Sequence, residues 1–459
     1  MNEELPVAVI GAGPTGLAAA AHLAIRGLMP LIFERGPRTG SALRDWAHVR
    51  LFSPWRYNID EAARMILERT GWSAPDPDHL PTGGELVSLY LDPLAAQAAI
   101  APHLRLGTRV TAITRLGIDK MSDGGRADTP FVIRWQDSAG ASHRSLARAV
   151  IDASGTWHTP NPMGVDGLPV RGEAEVASAI AYGIPDVLGA ARSDYSGKRI
   201  LVIGGGHSAT NAVLDIVDLQ QHEPGTRLIW ALRRDRIDRL LGGGLNDALP
   251  GRGALGLAAQ RAVDSGRLEL LAPFAAEHLE RRPDAIRVSG TLRGEALAFD
   301  VDRIIVATGF RPDTGIFSEL RAALDASVEA PANLAPLIDP NLHSCGTVPP
   351  HGAADLAHPE PGFYIAGSKS YGRAPTFLMV TGYEQVRSIV AEIAGDHETA
   401  REVRLVLPET GVCGTGALRE AQPQACCGGP APAKADACCL ADAEAKAAGQ
   451  KGCGCGAAA

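Results

Sequence analysis

Cysteine is scarce where a folded core would use it. Of the eight cysteines only Cys345 lies in the body of the chain, and Cys413, Cys426, Cys427, Cys438, Cys439, Cys453 and Cys455 all fall near its end. That placement argues against a disulfide framework and points to ligation or redox exchange by free thiols. The chain also lacks any apolar run near the roughly 20 residues that span a bilayer, because charges interrupt every candidate stretch. Asn2, Glu3 and Glu4 do not form a basic leader, and a glycine loop already opens at Gly11. With a net charge of -8 there is no basic excess to attract phosphate backbones. Neither nucleic acid nor a membrane is an expected partner, and a cytoplasmic location is expected.

What is present is an ordinary globular composition, 45% hydrophobic and 21% charged, over 459 residues. That length suits two intertwined α/β domains and a tail. Pro6 to Ile10 reads as a buried strand, Pro14 to Arg26 as an alanine-rich helix and Pro30 to Glu34 as a second strand. A polar stretch from Lys120 to Asp128 interrupts a hairpin-like region, and a strand from Ala149 to Asp152 runs into Ala153-Ser154-Gly155. The pattern then repeats. A strand at Arg199 to Ile203, a helix from about Ser208 to Leu219 and a strand from Arg227 to Leu232 are followed by Arg303 to Val306, which runs into Ala307-Thr308-Gly309. This pseudo-repeat predicts duplicated dinucleotide-binding halves. A strand from Gly362 to Ala366 and a helix from about Phe377 to Ile393 return the chain to its first half.

The first loop, Gly11-Ala12-Gly13-Pro14-Thr15-Gly16, lies between a strand and a helix, and Glu34 ends the next strand. The first glycine permits the tight turn, the second lets the backbone approach a pyrophosphate, and the third allows close helix packing. The helix N-terminus faces the phosphates and Glu34 is placed to accept hydrogen bonds from ribose hydroxyls. The bland alternative is a strand-to-helix turn of an unrelated α/β protein.

The second loop, Gly204-Gly205-Gly206-His207-Ser208-Ala209, has the same spacing with alanine in the third place. Arg233 and Arg234 follow the next strand where an NAD site would carry an acidic residue, which favours the 2′-phosphate of NADPH. A solvated basic turn is the competing reading, so NADH stays open. His207 reads as a spacer whose backbone matters more than its side chain.

Taken together, Gly11 to Gly16, Ala153-Ser154-Gly155, Gly204 to Ala209 and Ala307-Thr308-Gly309-Phe310-Arg311-Pro312 resemble the flavin-containing monooxygenases and the related pyridine-nucleotide disulfide reductases. The likeness spans roughly residues 5 to 395. It implies that the first loop binds FAD, the second binds NAD(P)H, and the corners carry the chain between domains beside the cofactors. Two departures stand out: no Cys-x-x-Cys lies beside the flavin, and the Phe-x-Gly-x-x-x-His signature is missing between Gly155 and Gly204. Phe363-Tyr364-Ile365-Ala366-Gly367-Ser368 resembles the strand that returns to the flavin, with Ser368 in place of an aspartate. Trp46 to Trp55, holding two of the six tryptophans, resembles the aromatic stretch beside the ring; ordinary core aromatics are the equal alternative.

The expected fold is α/β with two Rossmann-like domains, the NAD(P)H domain inserted into the FAD domain. Its boundaries are residues 1–165 and 309–408 for FAD, 166–308 for NAD(P)H and 409–459 for a flexible Cys-rich tail. The expected FAD contacts are Gly11, Gly13, Pro14, Thr15, Gly16, Glu34, Arg35, Trp46, Val110, Ala153, Gly155, Thr308, Gly309, Gly367 and Ser368. Those for NADPH are Gly204, Gly206, His207, Ser208, Ala209, Arg233 and Arg234. No catalytic side chain is assigned.

Cys426-Cys427, Cys438-Cys439 and Cys453-Gly454-Cys455 give three thiol pairs suited to soft ions, zinc, copper(I), mercury or trivalent arsenic. Such tails resemble those of proteins encoded with arsenic-resistance genes, which raises arsenite as ligand; a zinc-binding tail and adventitious thiols are the alternatives. His343, Cys345 and His351 are read as a loop, not a metal site. The expected activity is that of a monooxygenase-like FAD-dependent oxidoreductase using NADPH. Its substrate would be a small molecule or a metalloid captured by the tail, with O2 as co-substrate and a homodimer as the assembly considered. A metal-ion or disulfide reductase using a tail pair, and a non-enzymatic metalloid sequestration module, are the competing readings.

Overall fold

The computed structural model describes residues 4–235, 249–342, 348–374 and 377–405. The chain divides into two units, Met1–Gly414 and Thr415–Ala459. The seven C-terminal cysteines, the tail expected to be flexible, His343 and Cys345 lie outside the described residues.

Strand β1 (Val7–Ile10) is buried at every position, as a strand covered on both faces must be. After the glycine turn, Pro14 sits in the first helical turn of α1 (Pro14–Ile25), where its missing N–H costs nothing. Strand β2 (Pro30–Phe33) follows in parallel with β1. Helix α2 (Glu61–Glu68), capped by the Asp60 carboxylate on Ala63 N–H, and the short β3 (Leu104–Arg105) complete this first stretch. Strands β4 (Arg109–Arg115), β5 (Phe131–Gln136) and β6 (Ser142–Ala147) form an antiparallel sheet, with Lys120 to Asp128 between β4 and β5. Strand β7 (Ala149–Asp152) then rejoins β1.

The chain next builds β8 (Ile180–Tyr182), β9 (Arg199–Ile203), α3 (His207–His222), β10 (Arg227–Ala231), α4 (Pro250–Asp264) and β11 (Glu269–Leu271). An antiparallel excursion, β12 (Phe274–Arg281), β13 (Ile286–Leu292) and β14 (Glu295–Val301), leads to β15 (Arg303–Val306). Strand β16 (Phe363–Ile365) and helix α5 (Met379–Ile393) close the unit, α5 packing on α1.

Two parallel five-stranded sheets result, ordered β16-β7-β1-β2-β3 and β11-β10-β9-β15-β8. Each places the strand that precedes its glycine loop, β1 or β9, at the centre, and that loop opens at the carboxyl edge. This is the mixed α/β, Rossmann-like fold expected from the repeat.

Element ends differ from expectation by one to three residues for local reasons. Helix α3 starts at His207 because Gly206 is extended at its N-cap, and it runs on to His222. There Glu223 leaves the helical region ahead of Pro224, as residues before proline do. Helix α5 starts two residues late, after extended Leu378.

The two corners that cross between sheets are joined to each other. Asn161 N–H donates to Gly309 O at 2.9 Å, Thr308 Oγ1 donates to Asn161 O at 2.9 Å, and Arg311 Nε donates to Asn161 Oδ1 at 2.9 Å.

Candidate dinucleotide-binding sites

A cavity of about 720 Å³ opens along the carboxyl edge of the first sheet. Gly11, Gly13, Pro14 and Thr15 line it from the first loop, Glu34 and Arg35 from the end of β2, and Trp46 from the segment after it. Val110, Ala153, Gly155, Gly367 and Ser368 complete the residues expected there. Gly16 does not face the cavity; a Cβ on it would lie 2.0 Å from Gly11 O, so it serves loop packing. Thr308 and Gly309 are absent from the wall as well, and Thr308 spends its hydroxyl on the opposite corner. The size suits an organic cofactor.

The loop geometry repeats between halves. Gly11 has φ +99° and a Cβ there would come within 2.7 Å of Ala153 O; Gly204 has φ +137° and would meet Ala307 O at 2.2 Å. Each loop's first glycine is therefore pressed against the alanine that opens the corner of its own sheet. The middle glycines behave oppositely. Gly13 and Gly206 have φ of -83° and -101°, and a Cβ on either would meet nothing within 4 Å. The protein's own packing does not need glycine at these two positions. The space beside them is open, in front of helix N-termini whose free N–H groups attract anions.

Glu34 is buried, and its two oxygens accept from Ala12 N–H and Gly36 N–H, each at 2.8 Å. Burial raises its pKa above the usual carboxylate value, while the two N–H bonds and neighbouring Arg35 pull it back down. Across the cavity, burial and the Arg35 charge depress the pKa of His158, opposed by Asp45.

The aromatic stretch divides three ways. Trp46 lines the cavity, Trp55 is 1% exposed in the core, and Phe52 packs on His207 of the second loop with ring centroids 5.0 Å apart. Trp157 and Phe310, one from each corner, extend the aromatic wall, their centroids 4.9 Å apart and Trp157 6.4 Å from Trp46. Trp157 Nε1 donates to Asp45 Oδ2 at 2.8 Å.

Lys369, the residue after Ser368, is marked by no motif in the sequence. Its Nζ reaches Asp152 Oδ2 at 2.7 Å and Ser154 Oγ at 3.0 Å; the lysine and aspartate side chains are both buried, and Lys369 and Ser154 line the cavity. Asp313, Ile316 and Thr108 also line the cavity, and nothing local in the sequence marks them.

The second loop lies at the carboxyl edge of β9 and contributes no residue to this cavity. His207 and Ser208 begin α3, Ala209 is fully buried beneath it, and Arg233 and Arg234 are exposed just beyond β10. Trp230 Nε1 donates to Gly204 O at 2.9 Å, tying β10 to the loop. His351 is buried and hydrogen-bonded to Gln385, and no group of metal-ligating side chains occurs among the described residues. No helix among them is long and apolar enough to cross a membrane.

Residues 9–70 match a family described as an NAD(P)-binding Rossmann-like domain. A flavin-containing monooxygenase of Aspergillus flavus is 26% identical over 221 residues, 46% of this chain and 50% of the relative, so the chain spans half of that protein's length. The ferredoxin–NADP reductase of Thermus thermophilus is 24% identical over 348 residues, 74% of this chain and 84% of the relative. Among solved structures, the bacillithiol disulfide reductase of Bacillus cereus superposes with a TM-score of 0.63 at 19% identity, over 85% of this chain and 99% of that one. The FAD-bound cadaverine monooxygenase of Erwinia amylovora gives 0.61 at 13% identity, over 88% and 98%. The chain is thus similar, in sequence and in fold, to two-dinucleotide flavoprotein reductases and monooxygenases.

Proposed function

We propose that this protein is an FAD-dependent NADPH oxidoreductase of the monooxygenase kind. Residues 1–165 and 309–408 hold FAD, and residues 166–308 hold NADPH. The observation that carries the reading is the pair of open middle glycines, Gly13 and Gly206, each leaving room at a helix N-terminus that the fold itself leaves unfilled. Two such places on two Rossmann-like sheets fit two dinucleotides. The relatives named above, which include flavin-containing and NADP-dependent proteins, support the same pairing.

Bound FAD would supply hydride acceptance from NADPH and onward transfer to oxygen or a substrate. The chain's residues bind and orient. Gly11, Gly13 and Thr15 receive the diphosphate, Glu34 shapes the loop and keeps lone pairs for a ribose, and Trp46, Trp157 and Phe310 screen the ring end from water. Arg233 and Arg234 offer their guanidinium groups to a 2′-phosphate.

The substrate assigned is a thiophilic metalloid, trivalent arsenic, delivered by Cys426, Cys427, Cys438, Cys439, Cys453 and Cys455. Support for it comes from the three paired thiols alone. A reductase using one tail pair is the second reading, favoured by the reductases among the structural relatives. The full chain loaded with FAD is mixed with NADPH, with and without arsenite, and oxygen uptake and flavin bleaching are followed. Arsenite-stimulated oxygen uptake is expected. Bleaching by NADPH with reoxidation by a disulfide or by mercuric ion in the absence of oxygen would select the reductase, and no bleaching under any condition would remove both.

A further inference from the structure

Behind the Gly367–Tyr371 turn, outside the cavity, lies a closed set of buried hydrogen bonds that the proposed chemistry does not use. Gly367 N–H donates to Gln385 Oε1 at 2.8 Å, and Ser370 Oγ donates to Gly367 O at 2.8 Å. The Gln385 amide nitrogen donates one proton to Ser370 Oγ and the other to His351 Nε2, both at 2.9 Å. His351 Nδ1 lies 3.1 Å from Pro349 O and must donate to it, because a carbonyl can only accept. Nε2 is therefore the bare nitrogen, and both polar ends of Gln385 are matched. Gln385 and Ser370 are fully buried and His351 is 3% exposed.

Both polar backbone groups of Gly367 are thus held from behind while the residue lines the cavity in front. Gly367 has φ +73°, and a Cβ on it would press within 2.8 Å of Thr15 Oγ1 in the first loop. The turn also carries Ser368 and Lys369, so a shift of Gly367 moves three cavity residues together.

We propose that Gln385 is a positioning residue for the flavin site, and that the neutral, Nδ1-protonated form of His351 dictates which way its amide faces. The inference rests on the reading of the cavity as the FAD site. A proton added at Nε2 turns that nitrogen into a donor facing the Gln385 NH2. Rotating the amide relieves the conflict but aims NH2 at Gly367 N–H, so one donor pair or the other is left opposed, and a buried unmatched donor is costly. The groups facing His351 are Asp355 from its own loop, Glu384 with its partner Arg387 from α5, and the Tyr371 ring at 5.6 Å. Burial depresses its pKa most strongly, outweighing the Pro349 bond and the Asp355 and Glu384 charges. The neutral form therefore persists below the usual histidine range and is lost as pH falls further.

The test uses the full chain loaded with FAD, desalted at steps from about pH 7.5 to 4.5, with retained flavin read by absorbance. Wild type is expected to release FAD in the acid range, whereas His351→Gln, whose amide oxygen accepts from Gln385 but does not protonate, retains it. Gln385→Leu is expected to bind FAD about ten-fold more weakly at pH 7.5. In wild type, hydrogen exchange at Gly367 N–H supplies a reading independent of variants, with protection expected to fall over the same pH steps as flavin release. Release from H351Q at the wild-type pH, or release with Gly367 still protected, overturns the inference and leaves the FAD site standing. A wild-type chain that takes up no flavin at any pH overturns both.

Discussion

Ala12 N–H donates to Glu34 Oε2 at 2.8 Å, so the acidic residue just after β2 holds the glycine loop itself as well as facing the cavity. An amide at this position replaces one of two acceptors with a donor, opposite either Ala12 or Gly36 N–H. Glu34→Gln is expected to weaken FAD binding by about ten- to a hundred-fold, the effect of roughly 1–3 kcal/mol for an unmatched buried donor. Titration of apoprotein by flavin fluorescence measures this, and an unchanged dissociation constant would separate Glu34 from the cofactor.

The glycines of the first loop divide into structural and ligand-facing. Gly16→Ala sets a methyl 2.0 Å from Gly11 O and is expected to unfold the loop and lower thermal stability. Gly13→Ala meets no protein atom, so its apoprotein should melt like wild type while FAD uptake fails. Gly206→Ala should spare both folding and FAD, and raise KM for NADPH by about ten-fold or more. Normal FAD uptake by G13A would contradict the placement of the diphosphate.

Arg233 and Arg234 stand exposed beyond β10. Replacing both by alanine is expected to reduce kcat/KM for NADPH by about ten- to a hundred-fold and to leave NADH nearly unchanged, since the 2′-phosphate is the group that NADH lacks. Equal losses with the two nucleotides would indicate a surface role.

Lys369 and Asp152 form a buried ion pair at 2.7 Å. Lys369→Met leaves the carboxylate unpaired apart from Ser154 and is expected to destabilise the fold by about 3–5 kcal/mol. Asp152→Asn in the same chain removes the stranded charge and should restore much of that loss. Denaturant unfolding of the single and double variants supplies the comparison, and additive losses would show the two charges to be uncoupled.

His358 has its pKa pushed down to about 4 by burial; Nδ1 accepts from Ala323 N–H at 3.3 Å and Nε2 is buried without a partner. As pH falls below 6.5 the unfolded chain takes up a proton that the folded chain refuses until about pH 4. Stability is therefore present above pH 6.5 and drains away towards pH 4, by a total on the order of 3 kcal/mol. His358→Gln should flatten that part of the curve in urea unfolding measured at stepped pH, and an unchanged slope would assign the loss to other groups.

Much of the fold was legible because its signals are local. A run such as Val7–Ile10, the glycine spacing after it and proline at the start of α1 each act within a few residues of themselves. Arg199–Ile203 and Arg303–Val306 were readable to the residue for the same reason. The aromatic stretch was not, because Trp46, Phe52 and Trp55 have the same chemistry and are sorted only by what lies opposite each: cavity, second loop or core.

The sequence alone determined two glycine loops, their flanking strands and helices, and a cysteine-poor body ending in paired thiols. Tertiary structure decided the rest. It joined Lys369 to Asp152, His351 to Gln385 and Asn161 to Thr308, pairings between distant positions that no motif predicts. It also decided that Gly11 and Gly204 are glycine for the fold, and Gly13 and Gly206 for whatever binds beside them. The spacing of a loop is written in consecutive residues, but a clash or an empty space is defined by atoms that only folding brings near.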